Sequence, residues 1–231
     1  MFRFKQFSVS QPEGVFKTGT DSILLGALSE PPTPPRRILD IGTGNGILSL
    51  MIAQRFPDSV IVACDENQRA ADAAKRNFQN SSFSNRLNVI HADYNALTPS
   101  NAFDMIICNP PFFTSGEHSK TLSSARHEGV FSMKNFWKKA SELTSIHTSV
   151  HLIIPAGREK EIVSAAGHYG FSLHKITRFK HDEKSRVKRV LTEFTARPIT
   201  RQVAQSFIIS DENGDFSAQY RKVTSAFHPF L

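Results

Sequence analysis

Apolar positions along the chain follow two periods in turn, and this alternation predicts strands separated by helices. Short continuous apolar runs rich in β-branched residues are typical of buried strands, whereas apolar residues three and four positions apart are typical of helices. The predicted strands are 36–41, 59–65, 87–93, 103–109 and 150–154. The predicted helices are 47–56, 67–80, 134–147 and 159–169. Repeated strand–helix units of this kind form a parallel sheet with helices on both faces.

The pattern changes after Gly170, where two strand patterns follow without a helix between them. Residues 171–179 and 188–196 are therefore expected to form an antiparallel hairpin at one edge of the sheet. A further short strand pattern lies at 207–209, and a helix is expected at 216–227. The predicted fold class is α/β, with a doubly wound, mostly parallel, seven-stranded sheet and an antiparallel C-terminal hairpin.

The first 35 residues do not share this alternation. A polar and aromatic start precedes an apolar stretch at 22–28, which predicts a helix packed on the main fold. Prolines then fill four of the five positions from 31 to 35, and such a cluster favours extended backbone. We therefore predict an N-terminal extension, 1–35, and a main domain, 36–231.

Composition excludes several classes of protein. The chain has 231 residues, of which 39% are hydrophobic and 21% charged, as in ordinary globular domains. It has no apolar run of about 18 residues for a membrane span and no apolar signal region at its start. Its two cysteines, Cys64 and Cys108, are too few for a disulfide framework or a four-cysteine zinc site. We expect a cytoplasmic monomer without metal or membrane partners.

Charge is unevenly distributed and indicates a polyanionic partner. The net charge is +7, and residues 134–201 alone carry 14 Lys and Arg against 6 Asp and Glu. Clustered cations of this kind suit nucleic-acid phosphates. The connection of the predicted hairpin lies near the sheet rim, and its basic residues are the candidate RNA contacts: Lys180, Lys184, Arg186, Lys188 and Arg189.

The loop after the first strand of the main domain is rich in glycine and carries an acid. Its sequence, from Asp40, is Asp-Ile-Gly-Thr-Gly-Asn-Gly, so glycines stand at 42, 44 and 46. Glycines allow a tight turn and close approach of a ligand. The spacing differs from the Gly-x-Gly-x-x-Gly of dinucleotide-binding folds, and Asp40 would repel a pyrophosphate but accept from an ammonium group. The loop therefore suits a ligand without phosphates and disfavours a nicotinamide dehydrogenase.

Two further acids stand at the ends of the next two predicted strands. Asp65 could accept hydrogen bonds from both hydroxyls of a ribose, and Asp93 could accept from the exocyclic amine of an adenine. Each could equally serve as a helix or turn cap. Because parallel strands present their carboxyl ends at one rim, these acids and the glycine loop are expected to lie together.

The sequence Asn-Pro-Pro-Phe at 109–112 follows the fourth strand. The prolines stiffen the loop and remove two N–H donors, which leaves carbonyl acceptors beside the Asn109 amide. Phe112 offers a flat face for stacking. Acceptors on the hydrogens of a planar –NH2 group localise its lone pair and aim it at an electrophile, without any proton relay.

These motifs together resemble the class I S-adenosylmethionine-dependent methyltransferases that methylate amino groups. The resemblance covers residues 36–200 and implies a Rossmann-like fold with S-adenosylmethionine as cofactor. The segments 2–9 and 16–26, the latter Phe-Lys-Thr-Gly-Thr-Asp-Ser-Ile-Leu-Leu-Gly, resemble the bacterial tRNA(Val) adenosine-37 N6-methyltransferases and extend the likeness to nearly the whole chain. In that family the Lys-x-Gly-Thr-Asp segment covers the cofactor site, which implies pocket or lid roles for Lys17, Thr18 and Asp21.

The resemblance implies a specific set of site residues. The implied cofactor-binding residues are Lys17, Thr18, Asp40, Gly42, Gly44, Gly46, Asp65, Asp93 and Asn109. The implied catalytic residues, which hold the target amine, are Asn109, Pro110, Pro111 and Phe112.

The expected activity is methylation of an adenosine N6 amine in tRNA, at position 37 of a valine tRNA. Many amino-methylating enzymes have Tyr at the fourth box position, whereas Phe also occurs in guanine-N2 rRNA enzymes of similar fold. Methylation of guanine N2 in rRNA and of a protein glutamine amide therefore remain alternatives, as does a non-catalytic RNA-binding module.

Overall fold

The computed structural model describes residues 1–15, 18–98, 101–111 and 131–229. Its strands are β1 (Phe2–Arg3), β2 (Ser8–Val9), β3 (Arg37–Ile41), β4 (Val60–Asp65), β5 (Leu87–His91), β6 (Phe103–Cys108), β7 (Thr144–Pro155), β8 (Ser172–Lys180), β9 (Arg189–Thr195) and β10 (Val203–Ile208). Its helices are α1 (Thr20–Leu28), α2 (Ile47–Arg55), α3 (Gln68–Gln79), α4 (Met133–Leu143), α5 (Glu159–His168) and α6 (Ala218–Thr224).

Within these ranges, eight strands form one sheet in the order β10-β8-β9-β7-β6-β3-β4-β5, and β1 and β2 form a separate antiparallel pair. Strand β9 is antiparallel to both β7 and β8, while the other neighbouring pairs are parallel. The expected α/β fold and its antiparallel hairpin are confirmed. The chain order reverses between β3 and β6, which is where open α/β sheets bind their ligands.

The sheet has one strand more than the seven predicted, because β10 pairs in parallel with β8. The hairpin of β8 and β9 consequently does not form the edge. The strand pattern at 207–209 marked only the end of β10. The first four residues of β10 are exposed and lack the alternation of a half-buried strand.

The predicted helix 134–147 is four residues too long at its C-terminal end. Helix α4 ends at Leu143, and residues 144–147 already belong to β7. The segment Thr-Ser-Ile-His-Thr from 144 is rich in β-branched residues, which favour strands. The Thr148 hydroxyl also donates to the Phe103 carbonyl at 2.6 Å, which ties this start of β7 to β6.

The sheet separates two apolar cores. Along β6, Met105 and Ile107 face one core while Ile106 and Cys108 face the other, as the two-residue period of a strand requires. The first core contains the buried residues of α1 and α2 together with Phe78 of α3 and Tyr220 of α6. The second contains those of α4 and α5. The carboxyl ends of β3 to β7 lie at one common rim because these strands run in parallel.

Helix α1 packs closely on α2 through a glycine. A Cβ built on Gly26 would lie 2.9 Å from the Met51 sulfur, so a side chain there would push the helices apart. Arg55 also donates to the Gly26 carbonyl at 2.9 Å. These contacts fix where the first turn of α1 lies on the main fold. In the described ranges, no helix has both the length and the apolar character needed to cross a membrane.

Candidate functional site

The carboxyl ends of four neighbouring strands carry most of the predicted site residues. Ile41 of β3 pairs with Cys108 of β6 on one side and with Cys64 of β4 on the other. Gly42, Asn109 and Asp65, each one residue further along, therefore stand side by side on adjacent strands about 5 Å apart. The expectation that the glycine loop, Asp65 and the Asn-Pro-Pro box share one rim agrees with this register.

The three loop glycines all adopt left-handed backbone, with φ of 70° at Gly42, 57° at Gly44 and 81° at Gly46. A Cβ at Gly46 would lie 2.5 Å from the Phe78 ring, so this glycine is required for packing of α2 against α3. A Cβ at Gly42 or Gly44 would meet nothing within 4 Å among the described residues. The backbone of these two glycines therefore borders open space that a ligand can occupy.

Asp40 is a buried carboxyl whose two oxygens have different environments. Its Oδ2 accepts hydrogen bonds from the hydroxyls of Thr43 and Ser49 at 2.7 and 2.6 Å. Its Oδ1 is buried and has no hydrogen-bond partner among the described residues. Burial raises the pKa of Asp40 to about 6, although the two hydroxyls oppose the shift. An oxygen of this kind lacks a donor, which an ammonium group or a bridging water would supply.

Asp65 binds the glycine loop directly. Its Oδ2 accepts from the Gly44 backbone N–H at 2.8 Å and its Oδ1 from the Asn67 N–H at 3.0 Å. Burial raises the pKa of Asp65, and these two N–H groups oppose the shift. A carboxylate offers about four acceptor positions. Two acceptor positions therefore remain for a diol, while the other two brace the loop.

Asp93 acts as the cap of a short 3-10 turn. Its Oδ1 accepts from both the backbone and the side-chain amide of Asn95, each at 2.9 Å. Tyr94, the next residue, is half-buried, and burial raises its pKa to about 12. The ring of Tyr94 lies 5.9 Å from that of Phe131 and 6.3 Å from that of Phe136. This aromatic group, which sequence reasoning missed, adjoins the end of β5.

The Asn109 side chain is held by a serine from the N-terminal helix. Asn109 Nδ2 donates to Ser22 Oγ at 3.0 Å, although 87 residues separate them in sequence. Pro110 is buried and Pro111 exposed, and Phe112 lies outside the described residues. Sequence reasoning found Asn109 from its motif but missed Ser22, whose only signal was its place directly after the Gly-Thr-Asp segment.

Thr18 contacts the glycine loop through Asn45. Asn45 Nδ2 donates to Thr18 Oγ1 at 3.1 Å, and Asn77 Nδ2 donates to the Asn45 carbonyl at 2.8 Å. The same Asn77 side chain exchanges hydrogen bonds with the backbone of Ser10. The N-terminal segment is thus fastened to the loop on both sides of the predicted pocket residue Lys17, which itself lies outside the described residues.

Asp21 and Arg189 form an ion pair between α1 and the start of β9. Arg189 Nε lies 2.9 Å from Asp21 Oδ2, and the side chains are 43% and 35% exposed. The guanidinium proposed for phosphate contact is therefore already engaged by a carboxylate. Lys184, Arg186 and Lys188 are exposed on the connection between β8 and β9, whereas Lys180 donates to the Glu183 carbonyl at 3.1 Å.

Both cysteines are buried free thiols, as expected for core residues. Burial raises the pKa of Cys64 to about 12 and holds that of Cys108 well above its usual value. A thiol that stays protonated at neutral pH is a poor nucleophile. The described residues include no cluster of three or more His, Cys, Asp or Glu side chains able to hold a metal ion.

Comparison with known sequences identifies relatives of this chain. The family model described as "Methyltransferase small domain" matches residues 7–126. A Vibrio parahaemolyticus protein named tRNA1(Val) (adenine(37)-N6)-methyltransferase is 35% identical over 229 residues, covering 98% of this chain and 95% of the relative. A protein of the same name from a Flavobacteriaceae bacterium is 36% identical over 231 residues, covering 99% and 98%.

Solved structures support the fold. A protein from Agrobacterium tumefaciens, described as a predicted O-methyltransferase, superposes with a TM-score of 0.72 at 20% identity, covering 90% of this chain and 96% of that one. A methyltransferase from Pyrococcus furiosus superposes with a TM-score of 0.61 at 17% identity, covering 83% and 90%.

Proposed function

Because the chain belongs to the methyltransferase small domain family and to the family of tRNA1(Val) (adenine(37)-N6)-methyltransferases, we propose that it methylates the N6 amine of adenosine 37 in a valine tRNA. The methyl donor is S-adenosylmethionine. The observation that carries the proposal is the position of Asn109: its amide follows β6 at the reversal of strand order, directly beside the open side of the glycine loop. A tRNA substrate implies that the enzyme acts in the cytoplasm.

The residues around the glycine loop fit this cofactor. Gly42 and Gly44 leave open space at the loop, and the unpartnered Oδ1 of Asp40 matches a ligand with a cationic amino group. Asp65 retains acceptor positions for ribose hydroxyls, and Asp93 would lie by the adenine. We propose that Thr18 and the rest of the extension 1–35 close over this site, because Thr18 is tied to the loop through Asn45.

The chemistry supplied by bound S-adenosylmethionine is an electrophilic methyl group on a sulfonium sulfur. The task of the protein is then to present a weak nucleophile, since the lone pair of an aromatic exocyclic amine is delocalised into the ring. Asn109 Oδ1 and a carbonyl oxygen of the box accept the two amine hydrogens, which localises the lone pair and fixes its direction. The proton released from the alkylated nitrogen is acidic and needs no dedicated base.

The basic connection between β8 and β9 is in reach of the same substrate. Strand β9 lies two positions from β6 in the sheet, about 10 Å away, and its start faces the same rim as Asn109. Lys184, Arg186 and Lys188 are exposed there and suit phosphates flanking the target nucleotide. Surplus positive charge on this side supports RNA over a protein amide as the substrate.

Transfer of tritium from labelled S-adenosylmethionine to total tRNA, rRNA and protein, followed by nucleoside mass spectrometry, tests the proposal. We expect N6-methyladenosine in a valine tRNA. Methylated guanosine in rRNA, or methylated glutamine in protein, would instead assign the activity to one of the alternative substrates.

The role of Asn109 has its own test. Asn109→Ala should abolish transfer, because one of the two acceptors for the amine is lost, while calorimetry should find cofactor affinity within severalfold of the unaltered chain. Retained turnover in this variant would contradict the assigned mechanism.

A further inference from the structure

The first turn of α1 places Ser22 against the Asn109 side chain. Ser22 Oγ accepts from Asn109 Nδ2 at 3.0 Å, and both residues are partly buried. An amide side chain is planar, with its oxygen and nitrogen on opposite branches. The nitrogen branch of Asn109 is turned towards Ser22, so the oxygen branch is turned away from α1.

This orientation matters because the two branches of the amide have opposite hydrogen-bonding character. Methylation of an amine requires an acceptor facing the –NH2 group, and Asn109 Oδ1 is the acceptor. An Asn109 side chain that rotates freely would present this acceptor only part of the time. The backbone of the box cannot prevent such rotation, since it involves the side chain alone.

Side chains in the first turn of α1 contact residues at the rim of the sheet and not the backbone of their own helix. Serine and aspartate at a helix start commonly cap free backbone N–H groups. Here Gly19 is the N-cap residue and has no side chain with which to cap the helix. Asp21 instead pairs with Arg189 at the start of β9, and Ser22 contacts Asn109 at the end of β6. Two consecutive side chains thus connect this turn to two strand ends.

The position of Ser22 is fixed by the packing of α1. The close approach of Gly26 to Met51 and the hydrogen bond from Arg55 to the Gly26 carbonyl seat the helix on α2 one turn beyond Ser22. The Asp21–Arg189 pair holds the preceding residue. The serine hydroxyl is therefore presented to Asn109 by a rigid element, as a positioning group requires.

We propose that Ser22 is a positioning residue for methyl transfer: by accepting from Nδ2 it holds the Asn109 side chain at the rim, where Oδ1 can accept from the target amine. The inference rests on the proposed function, because it assigns Asn109 Oδ1 as the acceptor. Ser22 itself touches neither substrate nor the reacting atoms.

Ser22→Ala and Ser22→Thr test the proposal through steady-state kinetics with tRNA. Ser22→Ala should lower kcat about fivefold to tenfold, the change expected when one neutral hydrogen bond is lost, while the Kd for S-adenosylmethionine stays within about twofold. Ser22→Thr keeps the hydroxyl and should restore most of kcat. An unchanged kcat in Ser22→Ala, or a loss that Ser22→Thr does not repair, would overturn the proposal.

Ser29→Ala is the matched control. Ser29 is a buried serine at the other end of α1, and its hydroxyl donates to the Leu25 carbonyl at 2.7 Å. Its removal weakens the same helix without touching Asn109, so kcat should stay within about twofold of the unaltered chain. A loss equal to that of Ser22→Ala would show that any damage to α1 lowers turnover, and would refute a specific role for Ser22.

Failure of the proposed function would appear differently, as absence of methyl transfer by the unaltered chain.

Discussion

Substitution of single glycines in the loop after β3 separates the packing role of this loop from its ligand role. Gly46 and Gly44 both have positive φ, at 81° and 57°. A Cβ at Gly46 would lie 2.5 Å from the buried Phe78 ring, whereas a Cβ at Gly44 would meet nothing within 4 Å among the described residues. Gly46→Ala should therefore damage the fold, and Gly44→Ala should damage cofactor binding.

The magnitudes follow from two contributions. Alanine in left-handed backbone costs about 1–2 kcal/mol, and this applies to both variants. The contact at Gly46 is far shorter than a normal carbon–carbon separation, and such overpacking adds about 1–3 kcal/mol. For a chain of this size, 1 kcal/mol corresponds to about 2–4 °C in Tm. Gly46→Ala should therefore melt roughly 2–12 °C below Gly44→Ala.

Differential scanning calorimetry measures the stabilities, and titration calorimetry measures affinity for S-adenosylmethionine. Gly44→Ala should bind the cofactor at least about tenfold more weakly, because its methyl group enters the ligand space. Gly170→Ala is the control, since Gly170 has φ of 84°, an open surrounding and a position before β8, at the opposite end of the sheet. It should lose stability like Gly44→Ala yet bind normally. Unchanged affinity in Gly44→Ala would remove the loop from the cofactor site.

Two further predictions concern charge. Burial raises the Asp40 pKa to about 6, and a cationic amino group favours the carboxylate form. Affinity for S-adenosylmethionine should therefore weaken as pH falls through about 6. Asp40→Asn should flatten this dependence when affinity is measured by calorimetry from pH 5 to 8. An identical pH profile in both proteins would contradict the assigned contact. Lys184→Glu combined with Arg186→Glu should weaken tRNA binding most at low salt. In filter binding, the slope of log affinity against log salt concentration should fall by about two. A slope equal to that of the unaltered chain would exclude this connection from the RNA surface.

The sheet and its rim could be predicted from sequence because their signals are local. Each parallel strand is a short apolar run, and the acids and glycines follow directly at its end. The boundary at Thr144 was missed because the strand begins at the residue after the helix ends, without a glycine or proline between them. Strand β10 was only partly recognised because its exposed face and its exposed edge leave little apolar patterning.

Side-chain partners across the rim could not be predicted in the same way. The contact of Ser22 with Asn109 and the pair of Asp21 with Arg189 depend on how α1 docks on α2, which no local pattern encodes. The sequence marked Arg189 as a cation suited to phosphate. It could not show that a carboxylate from the other end of the chain already lies beside the guanidinium.

The long separations between these partners have a consequence for the order of folding. Asp21 and Arg189 are 168 residues apart, and Ser22 and Asn109 are 87 apart, so neither contact can form before distant strands have assembled. Contacts between remote parts of a chain form slowly because loop closure must precede them. After dilution from denaturant, recovery of turnover should therefore lag behind the return of far-ultraviolet circular dichroism, and catalytic competence would mark the last stage of folding.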